Sequence, residues 1–547
     1  MAVREAVAGL ALLLTAELIT PGAVLAAPGG GALDLERLAT RLADPKTQEQ
    51  ALGELQGSDD PGVERLLRAL KDGALYRFRG RLVVLGDDAG VTDVKSQRVV
   101  DAQGQPVSLE GQEAVALEEA HFGLVGRLLE RFEILSPDRD ARRAAALKLG
   151  NSRDASVLPL LARASSRETD AAVKAVLDEA LTKLRLVAPD PDARVAAVRH
   201  LGRLRSEAAL GELRRMLIEE RDSGVRQAAR EAIQAIESHV GFRSMVGYAF
   251  NGVSLGAVLL IMSLGLAVTF GLMGIINMAH GEMLMIGSYT AYVVQEIFAA
   301  RFAAYQDYYF FFALPLSFVA AGLVGLALEL SVIRSLYRRP LETLIVTWGI
   351  GMIFQQCARL YFGDQTSVNS PTWFRGGVEV MTGLIFPWSR IFIVVLALLS
   401  VPALWLLLQR TYAGLRVQAV MQNRAMASCL GVSTRRIDAV TFALGTALAG
   451  VAGCALALIG TVDPEVGKTY IVDSFMVVVL GGVGKLLGTV VASFTIGIAN
   501  KLLEPAIGGT AAAVYAKVAV LLIVVWFLQW RPTGLFPQRG RAAAEAS

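Results

Sequence analysis

Apolar residues are distributed very unevenly along this chain. Residues 30–245 are rich in Arg, Glu and Asp, whereas long apolar segments recur after residue 246. Eight segments approach or exceed the roughly 20 residues that a helix needs to span a bilayer. Backbone polar groups must be paired inside the bilayer, so these segments are expected to be helices. They are 251–271, 281–300, 309–333, 341–361, 391–409, 438–461, 474–500 and 511–530. The pattern predicts a polytopic helical membrane region over 246–540, with a short tail over 541–547.

The polar N-terminal region carries a weak repeat. Arg142–Gly150 aligns with Arg194–Gly202, an offset of 52 residues, and a third, fainter copy begins near Leu55. Apolar residues at steps of three and four predict amphipathic helices. Stacked helix pairs of this kind are typical of HEAT-like repeats, in which each unit buries its apolar face against a neighbour.

A stretch of different texture, residues 75–116, interrupts this repeat. Tyr76–Leu85 and Val91–Leu109 alternate apolar and polar residues around turn signals, which predicts a β-hairpin insertion. No catalytic constellation is visible in the N-terminal region, so docking or scaffolding is its expected role. Its histidines are isolated and are interpreted as surface or packing residues: His121, His200 and His239.

The first residues have the composition of a secretory signal. Arg4 precedes the apolar run Val7–Leu14, and small residues lead to Ala26 and Ala27. This order of basic, apolar and small residues predicts a signal peptide over 1–27. An uncleaved anchor is the alternative. Both interpretations place residues 28–245 outside the cytoplasm.

Basic residues orient the apolar segments, because cytoplasmic loops carry an excess of Lys and Arg. Two loops are marked in this way, the first by Arg334, Arg338 and Arg339, the second by Arg410, Arg416, Arg424, Arg435 and Arg436. The connection 362–390 then faces outside, in agreement with an external N-terminal region. Eight crossings from that start would also leave the C-terminus outside. However, the tail contains Arg531, Arg539 and Arg541, which favour an internal position.

One segment is therefore expected not to cross fully, and 474–500 is the candidate. Its interior contains four glycines and a lysine: Gly481, Gly482, Gly484, Gly488 and Lys485. Broken helices at membrane depth are tolerated where they are buried in protein or line a cavity. The alternative is a bent but continuous helix that uses its glycines for close packing.

A polar motif, Gly274–Glu282, lies between two apolar segments. It contains Asn277, His280, Gly281 and Glu282, and polar groups at membrane depth are costly unless they face a cavity or each other. A break at this point would expose helix-terminal backbone groups to a small polar solute. The alternatives are a cytoplasmic loop and a structural polar cluster. A metal site is not expected, because His280 and Glu282 are two residues apart and share no helix face.

A second motif, 414–432, has the pattern of a short helix on the cytoplasmic side. Ala419, Asn423, Ala427 and Leu430 fall on one helical face, and the pattern ends at Gly431. Such a helix suits a groove on a partner subunit. An ordinary amphipathic connector is the alternative.

The remaining composition excludes several classes of function. The net charge of +3 is small and its basic residues are spread out, so nucleic-acid binding is not indicated. No nucleotide-binding loop of the G-x-x-x-x-G-K-[ST] type occurs, so the chain is not expected to hydrolyse ATP. Lys517 and Glu329 are interpreted as structural, Glu329 as a partner of Arg334. The cysteines are interpreted as core-filling thiols: Cys357, Cys429 and Cys454.

The sequence Gly274–Glu282 (GIINMAHGE) resembles the hallmark of the branched-chain amino-acid ABC permease family. The glycine-rich 481–489 and the tail Arg531–Phe536 resemble the same family, over about residues 246–540. Three stretches are more similar to its urea-transport branch, as is the long N-terminal extension: 422–436, 470–484 and 531–541. The resemblance implies a polytopic permease. With the repeat and hairpin patterns described above, the expected fold is an all-α permease with an N-terminal HEAT-like region that contains a small β insertion.

The resemblance also implies partners and roles. Residues 414–431 would be the coupling helix that meets an ATPase, through Gly414, Arg416, Ala419, Asn423, Ala427 and Gly431. Asn277, His280, Gly281 and Glu282 would lie in or beside the translocation path, together with Gly481, Gly482 and Gly484. The importer would need a second permease subunit, ATP-binding subunits that use ATP, and an extracytoplasmic substrate-binding protein. The expected substrate is urea, with branched-chain or other amino acids as the alternative. Gln418 departs from the arginine that relatives often carry at that position.

Overall fold

The computed structural model describes residues 35–55, 61–78, 81–85, 91–94, 99, 114–152, 154–337 and 339–536. The predicted signal peptide and the tail over 541–547 lie outside these residues, as do Arg338, Arg539 and Arg541. The chain divides into two compact units, Met1–Glu237 and Ser238–Ser547.

Unit 1 is largely helical. Its helices are α1 (Leu35–Leu42), α2 (Pro45–Glu54), α3 (Pro61–Lys71), α4 (Phe122–Glu133), α5 (Arg139–Gly150), α6 (Leu158–Arg167), α7 (Ala171–Arg185), α8 (Pro191–Leu204) and α9 (Leu210–Glu219). The first turns of α10 (Ser223–Met273) also belong to this unit. One apolar core lies under α1–α4 and another under α5–α7, and α8–α10 contribute further fully buried residues, among them Val198, Leu213 and Val225.

The 52-residue repeat seen in the sequence is also a repeat of structure. Asp138 accepts a hydrogen bond from a first-turn N–H of α5, and Asp190 does the same for α8. Such aspartate caps satisfy amides that have no partner within the helix. Gly150 packs against Ala180, and Gly202 packs against Ala232 at the equivalent place. The predicted repeat is therefore confirmed in its helix starts and in its helix contacts.

An arginine–glutamate pair also recurs at this spacing. Arg142 Nε lies 2.7 Å from Glu168 Oε2, and Arg194 Nε lies 2.9 Å from Glu220 Oε2. In both copies the arginine also donates to two backbone carbonyls about five residues before it. Only 5% of the Glu168 side chain is exposed. Each pair therefore ties the start of one helix to the end of the next.

We expect the Arg142–Glu168 pair to make unit 1 sensitive to acid. The hydrogen bond from Arg142 is the main cause that lowers the pKa of Glu168 from 4.5 to about 2. Because the folded state favours the carboxylate, this stabilisation is present above pH 4.5 and is lost as the pH falls towards 2. Hydrogen exchange of α5–α7 should show Glu168→Gln to be less protected than the wild type at pH 7 and nearly equal to it at pH 2.

The matched control is Glu237→Gln, because Glu237 pairs with Arg214 in an exposed position. Exposed pairs contribute little to stability. We therefore expect no measurable loss of protection at either pH. A Glu168→Gln difference that stayed constant from pH 7 to pH 2 would contradict the assigned cause.

Two small sheets accompany the helices. The predicted β-hairpin insertion is a three-stranded antiparallel sheet, formed by β1 (Leu75–Phe78), β2 (Arg81–Leu85) and β3 (Val91–Asp93). A second hairpin, β4 (Gly377–Met381) and β5 (Leu384–Pro387), lies in the connection 362–390, where the sequence did not predict strands. The described chain is therefore mostly helical rather than all-α.

Unit 2 is built from long helices. They are α10, α11 (His280–Arg301), α12 (Tyr309–Ser331), α13 (Pro340–Phe362), α14 (Trp388–Arg410), α15 (Tyr412–Gln422), α16 (Arg424–Cys429), α17 (Thr434–Leu456), α18 (Val466–Gly481), α19 (Leu486–Ile507) and α20 (Ala512–Trp530). Among the described residues, seven helices are long and apolar enough to cross a membrane: α10, α11, α12, α14, α17, α19 and α20. Helix α13 has the length but is not among these seven.

The predicted segment 474–500 is two helices rather than one. Helix α18 ends at Gly481 and α19 begins at Leu486, so four residues connect them. Gly482 and Gly484 have φ of 97° and 78°, which favour glycine, and Gly481 packs directly on Gly488. A short connection makes the two helices antiparallel neighbours. The predicted interruption is confirmed, and the continuous-helix alternative is wrong.

Small residues allow α11 and α17 to approach closely. An added Cβ on Gly287 would collide with the backbone of Gly450, and one on Gly453 would collide with the carbonyl of Leu284. Small residues at helix interfaces are the usual means of close packing between membrane helices. Helix α12 packs on the same part of α17 through Ala321. This core fixes the position of α11 and of the polar residues at its start.

Candidate functional site

The polar motif forms a break between α10 and α11. Helix α10 ends at Met273, Gly274 has φ of 67°, and α11 begins at His280. The His280 ring lies beside Gly265 and Met262 of α10. Met262 is about 16 Å from the end of α10 at 1.5 Å per residue. The chain therefore turns back along α10, and α11 starts inside the bundle.

Asn277 stabilises the conformation of the break between α10 and α11. Its Oδ1 accepts a hydrogen bond from Ala279 N at 3.0 Å, and its side chain is fully buried. The neighbouring Met278 N donates to Thr347 Oγ1 of α13 at 3.1 Å. Within the described part of the chain, Asn277 Nδ2 has no hydrogen-bond partner. A buried donor is thus left available beside the start of α11.

His280 is the first residue of α11 and is fully buried. Its Nε2 lies 3.2 Å from Met262 O, and only a protonated Nε2 can donate to a carbonyl oxygen. In a neutral ring Nδ1 is then an acceptor, and it has no partner among the described residues. No group of three or more potential metal ligands occurs in that part of the chain either.

Glu282 lies in the first turn of α11 and is buried. Its Oε1 accepts a hydrogen bond from Gln355 Nε2 of α13 at 2.6 Å, while its Oε2 has no partner within the described ranges. Its Cγ lies close to Gly351, which is at the middle of α13. Gly281 beside it packs against Gly467 of α18. The carboxylate therefore lies midway along the bundle, where α11, α13 and α18 meet.

The motif is thus a buried polar cluster in which three atoms are left unpaired: one donor and two acceptors. The cytoplasmic-loop interpretation is wrong, because these side chains are enclosed by helices. The sequence analysis missed two members of the cluster, Thr347 and Gln355. Their signal was a pair of polar residues inside the apolar segment 341–361.

The structure does not bring the glycines of the α18–α19 turn to this cluster. Gly484 packs on Gly271, near the end of α10, and an added Cβ on Gly482 would meet the backbone of Phe536. Gly271 is about 14 Å along α10 from Met262, the His280 partner. The predicted pathway residues Gly481, Gly482 and Gly484 therefore lie at one end of the bundle, with the tail.

The predicted coupling helix is two helices, α15 and α16. Asn423 between them is extended, with φ of −154° and ψ of 100°, and its Oδ1 accepts from Met426 N to cap α16. Asparagine competes with helical bonding in this way, which makes it a good N-cap. The predicted common face of Ala419, Asn423 and Ala427 is therefore wrong, since the helix does not continue through Asn423.

The residues of α15 and α16 that are exposed also differ from those predicted. Ala427 is only 3% exposed, whereas Met426 is 57% and Leu430 is 77% exposed. Gly414 is buried against the carbonyls of Leu407 and Leu408. Of the other predicted coupling residues, Arg416 is exposed, Ala419 is half-buried, and Gly431 ends α16 with φ of 82°.

Charged residues tie α16 to the neighbouring helices. Arg424 forms an ion pair with Asp438 of α17, and its guanidinium lies 4.9 Å from the centre of the Tyr337 ring. The Tyr337 hydroxyl donates to Glu329 at 3.2 Å. Glu329 also pairs with Arg334 at 3.2 Å, so the predicted structural role of Glu329 is confirmed. This network connects the segment after α14 with α12 and α17.

Other isolated residues have simple placements. Lys517 of α20 lies 3.4 Å from Asp473 of α18, in agreement with its structural interpretation. Cys454 is buried as predicted. Cys357 and Cys429 are exposed, so the core-filling interpretation is wrong for these two.

A family profile described as the permease component of the branched-chain amino acid transport system matches residues 248–527, a little over half of the chain. The chain belongs to this family. The permease is therefore a multi-pass membrane protein, and its buried motif and the segment α15–α16 both lie inside the matched range. A second profile, for HEAT repeats, matches residues 177–242.

Individual relatives match about half of the permease chain. The branched-chain amino acid permease BraD of Pseudomonas aeruginosa is 28% identical over 291 residues, which cover 52% of this chain and 93% of the relative. LivH of Escherichia coli K12 is 29% identical over 296 residues, with the same coverage. LivM of that strain is 28% identical over 317 residues, which cover 52% of this chain and 69% of LivM. No solved structure matches.

Proposed function

We propose that this permease is the membrane-spanning subunit of an ATP-driven importer in the bacterial inner membrane and that it moves its solute by alternating access. The observation that carries the proposal is the buried polar cluster at the start of α11. Helix starts and unpaired polar groups midway through a membrane bundle are typical of solute-binding positions in transporters. ATP would be bound and hydrolysed by partner subunits, whose work would tip the helices around this cluster.

The hairpin of α18 and α19 supports one orientation of the chain across the membrane. If α13 and α18 cross in addition to the seven helices named above, a chain that starts outside makes nine crossings and ends inside. This orientation places Arg531 on the cytoplasmic side, as the distribution of basic residues favours. Eight crossings from an external start had conflicted with the internal position that the basic residues of the tail favour. This conflict disappears when 474–500 crosses the membrane twice, as α18 and α19. Unit 1 would then be extracytoplasmic, as a HEAT-like docking region for the substrate-binding protein or another component.

Branched-chain or other amino acids are the first substrate candidates. BraD, LivH and LivM are named as branched-chain amino acid transport permeases. Asn277 Nδ2, the buried donor without a partner beside the start of α11, is available to a carboxylate. His280 Nδ1 and Glu282 Oε2 offer acceptors to an ammonium group. An amino acid could thus be bound at both of its charged ends.

Urea is the second substrate candidate, and one observation favours it. The hydrogen bonds around Asn277, His280 and Glu282 come from backbone groups, Thr347 and Gln355, and none of those described comes from Lys or Arg. A small neutral amide needs donors and acceptors rather than a charged clamp. The stretches that resemble the urea branch support the same substrate.

Uptake by the complete importer, with its binding protein and ATPase subunits, distinguishes these substrates. Vesicles that contain the full set would be given labelled leucine or labelled urea, each in competition with the other and with short-chain amides. Uptake of leucine that urea does not inhibit would establish the amino-acid proposal. Uptake of urea alone would establish the second candidate. If neither solute moved and no other amino acid competed, the importer proposal would be rejected.

The segment α15–α16 is the proposed contact with an ATP-binding subunit. Gly414, Asn423 and Gly431 would set its shape, and Arg416 and Ala419 would lie on α15. Ala427 would support α16 from inside. Met426 and Leu430 are the exposed apolar residues of α16 and its end, and such residues suit a groove on a partner. A second permease subunit would complete the membrane part.

We expect Met426→Asp and Leu430→Asp to lower substrate-stimulated ATPase activity by about tenfold, because a carboxylate in an apolar groove is not compensated. Basal ATPase activity of the partner should be unchanged. A bulky residue at Ala427 should also uncouple the importer, but through displacement of α16, since this side chain is buried. The measurement is ATP hydrolysis by the reconstituted complex, with and without loaded binding protein.

Ser428→Asp is the control for these variants. Ser428 is exposed on α16, and its replacement by aspartate introduces the same charge. We expect it to retain most of the stimulation. Equal loss in Ser428→Asp would show a general effect of charge. Full stimulation in both Met426→Asp and Leu430→Asp would exclude this surface as the ATPase contact.

A further inference from the structure

A cleft of about 680 Å³ opens in unit 2 beside the turn between α18 and α19. Its walls come from α10, the end of α14, the middle of α15, the start of α19 and the segment after α20. The lining includes Val268, Trp405, Gln418, Lys485, Leu486 and Phe536. The cleft is separate from the buried cluster, because it lies with Gly484 at the end of the bundle.

The polar part of this cleft is cationic. Lys485 lines it with the neutral Gln409 and Gln418, and the guanidinium carbon of Arg410 lies 5.9 Å from the centre of the ring of Trp405, another lining residue. No Asp or Glu is found among the described residues that line the cleft. A negatively charged group is therefore the complementary occupant.

The apolar part of the cleft continues onto the outer surface of the bundle. Leu487, which also lines the cleft, is 72% exposed, and Trp405 is exposed on α14. Both belong to helices that are long and apolar enough to cross a membrane. Their exposed side chains would face lipid, and tryptophan at a helix end is typical of the membrane interface. The molecule that binds in the cleft should therefore have long apolar chains attached to its negatively charged group.

We propose that this cleft binds an anionic phospholipid, with its phosphate at Lys485 and an acyl chain along Trp405 and Leu487. Basic pockets between transmembrane helices at the cytoplasmic side are suited to acidic headgroups. The bilayer supplies this ligand at high local concentration. Because the cleft contacts both α15 and the α18–α19 turn, the bound lipid would fill the space between the coupling segment and the rest of the bundle.

Native mass spectrometry of the purified full complex, after exchange into detergent with added lipid, tests this proposal. We expect phosphatidylglycerol to be retained at least fivefold better than phosphatidylcholine. Lys485→Gln should remove this preference, and Lys485→Arg should restore it. The matched control is Lys501→Gln, since Lys501 lies on α19, the helix that Lys485 precedes, and pairs with Glu504 at 2.7 Å.

Three outcomes would overturn the proposal. One is equal retention of the two lipids by the wild type, and another is equal loss of preference in Lys501→Gln and Lys485→Gln. The third is displacement of phosphatidylglycerol by inorganic phosphate at millimolar concentration, which would indicate a site for a soluble anion. A chain that ends at Phe536 should retain the lipid as the wild type does. A marked gain of lipid in that chain would instead show that residues 537–547 occupy the cleft.

Discussion

Replacement of Glu282 by alanine is expected to lower solute uptake by about tenfold or more, while the complex still assembles. The substitution removes the acceptor of Gln355 Nε2 and leaves this buried amide unpaired, at a cost of about 1–3 kcal/mol. It also removes Oε2, the acceptor that we assign to the solute path. A loss of 1.4 kcal/mol in the transport step is tenfold in rate. Uptake into vesicles and copurification of the subunits measure the two effects separately.

Two variants separate the roles of the Glu282 carboxylate. Glu282→Gln keeps an acceptor for Gln355 but removes the negative charge, so it should assemble normally and lose uptake if the charge is needed. Glu342→Ala removes an exposed glutamate that pairs with Arg339 at the start of α13, and it should transport normally. Wild-type uptake by Glu282→Ala at normal expression would exclude this residue from the path.

Replacement of Gly453 by alanine is expected to destabilise unit 2 more than any other small change discussed for this permease. The new Cβ would lie well within 3.0 Å of the Leu284 carbonyl, a contact that real Cβ atoms essentially never show. Helices α11 and α17 would have to separate, and overpacking of this kind costs about 1–3 kcal/mol, occasionally more. Thermal unfolding in detergent and the yield of folded protein measure the effect.

Gly322→Ala is the matched control for Gly453→Ala. Gly322 of α12 faces the same helix α17, but its added Cβ would meet Ala447 at 3.3 Å and a carbonyl at 3.5 Å. A shift of a few tenths of an ångström accommodates such contacts, and alanine is the better helix former. We expect near-wild-type stability. If the two variants unfolded at the same temperature, the close approach of α11 and α17 would not be a determinant of stability.

Much of the fold could be predicted from the sequence, because it depends on local patterns. Apolar length located the membrane helices, and three- and four-residue spacing located the repeat helices of unit 1. The motif at Gly274–Glu282 was found because polar residues are rare at membrane depth. The sequence could not pair Glu282 with Gln355, because that contact joins residues 73 positions apart.

The errors have physical causes as well. Apolar length counted 474–500 as one segment; its glycines predicted the break but not that both halves are separate antiparallel helices. A single helix was predicted to continue through Asn423. The Asn423 side chain instead caps the start of a new helix, α16. The exposure of Cys357 was missed because a helix of the membrane region can present weakly polar residues on its outer face. The exposure of Cys429 was missed because α16 is a six-residue helix outside the apolar segments.

The 52-residue repeat of unit 1 has an implication for how this region can vary in length. Asp138 and Asp190 precede equivalent helices, and the Arg142–Glu168 and Arg194–Glu220 pairs join equivalent ends. Duplication or loss of one whole period, between one aspartate and the next, would leave every cap and ion pair with a partner of the same kind. Any other length change would orphan some of them. We therefore expect evolution to lengthen or shorten this array in discrete steps of one period.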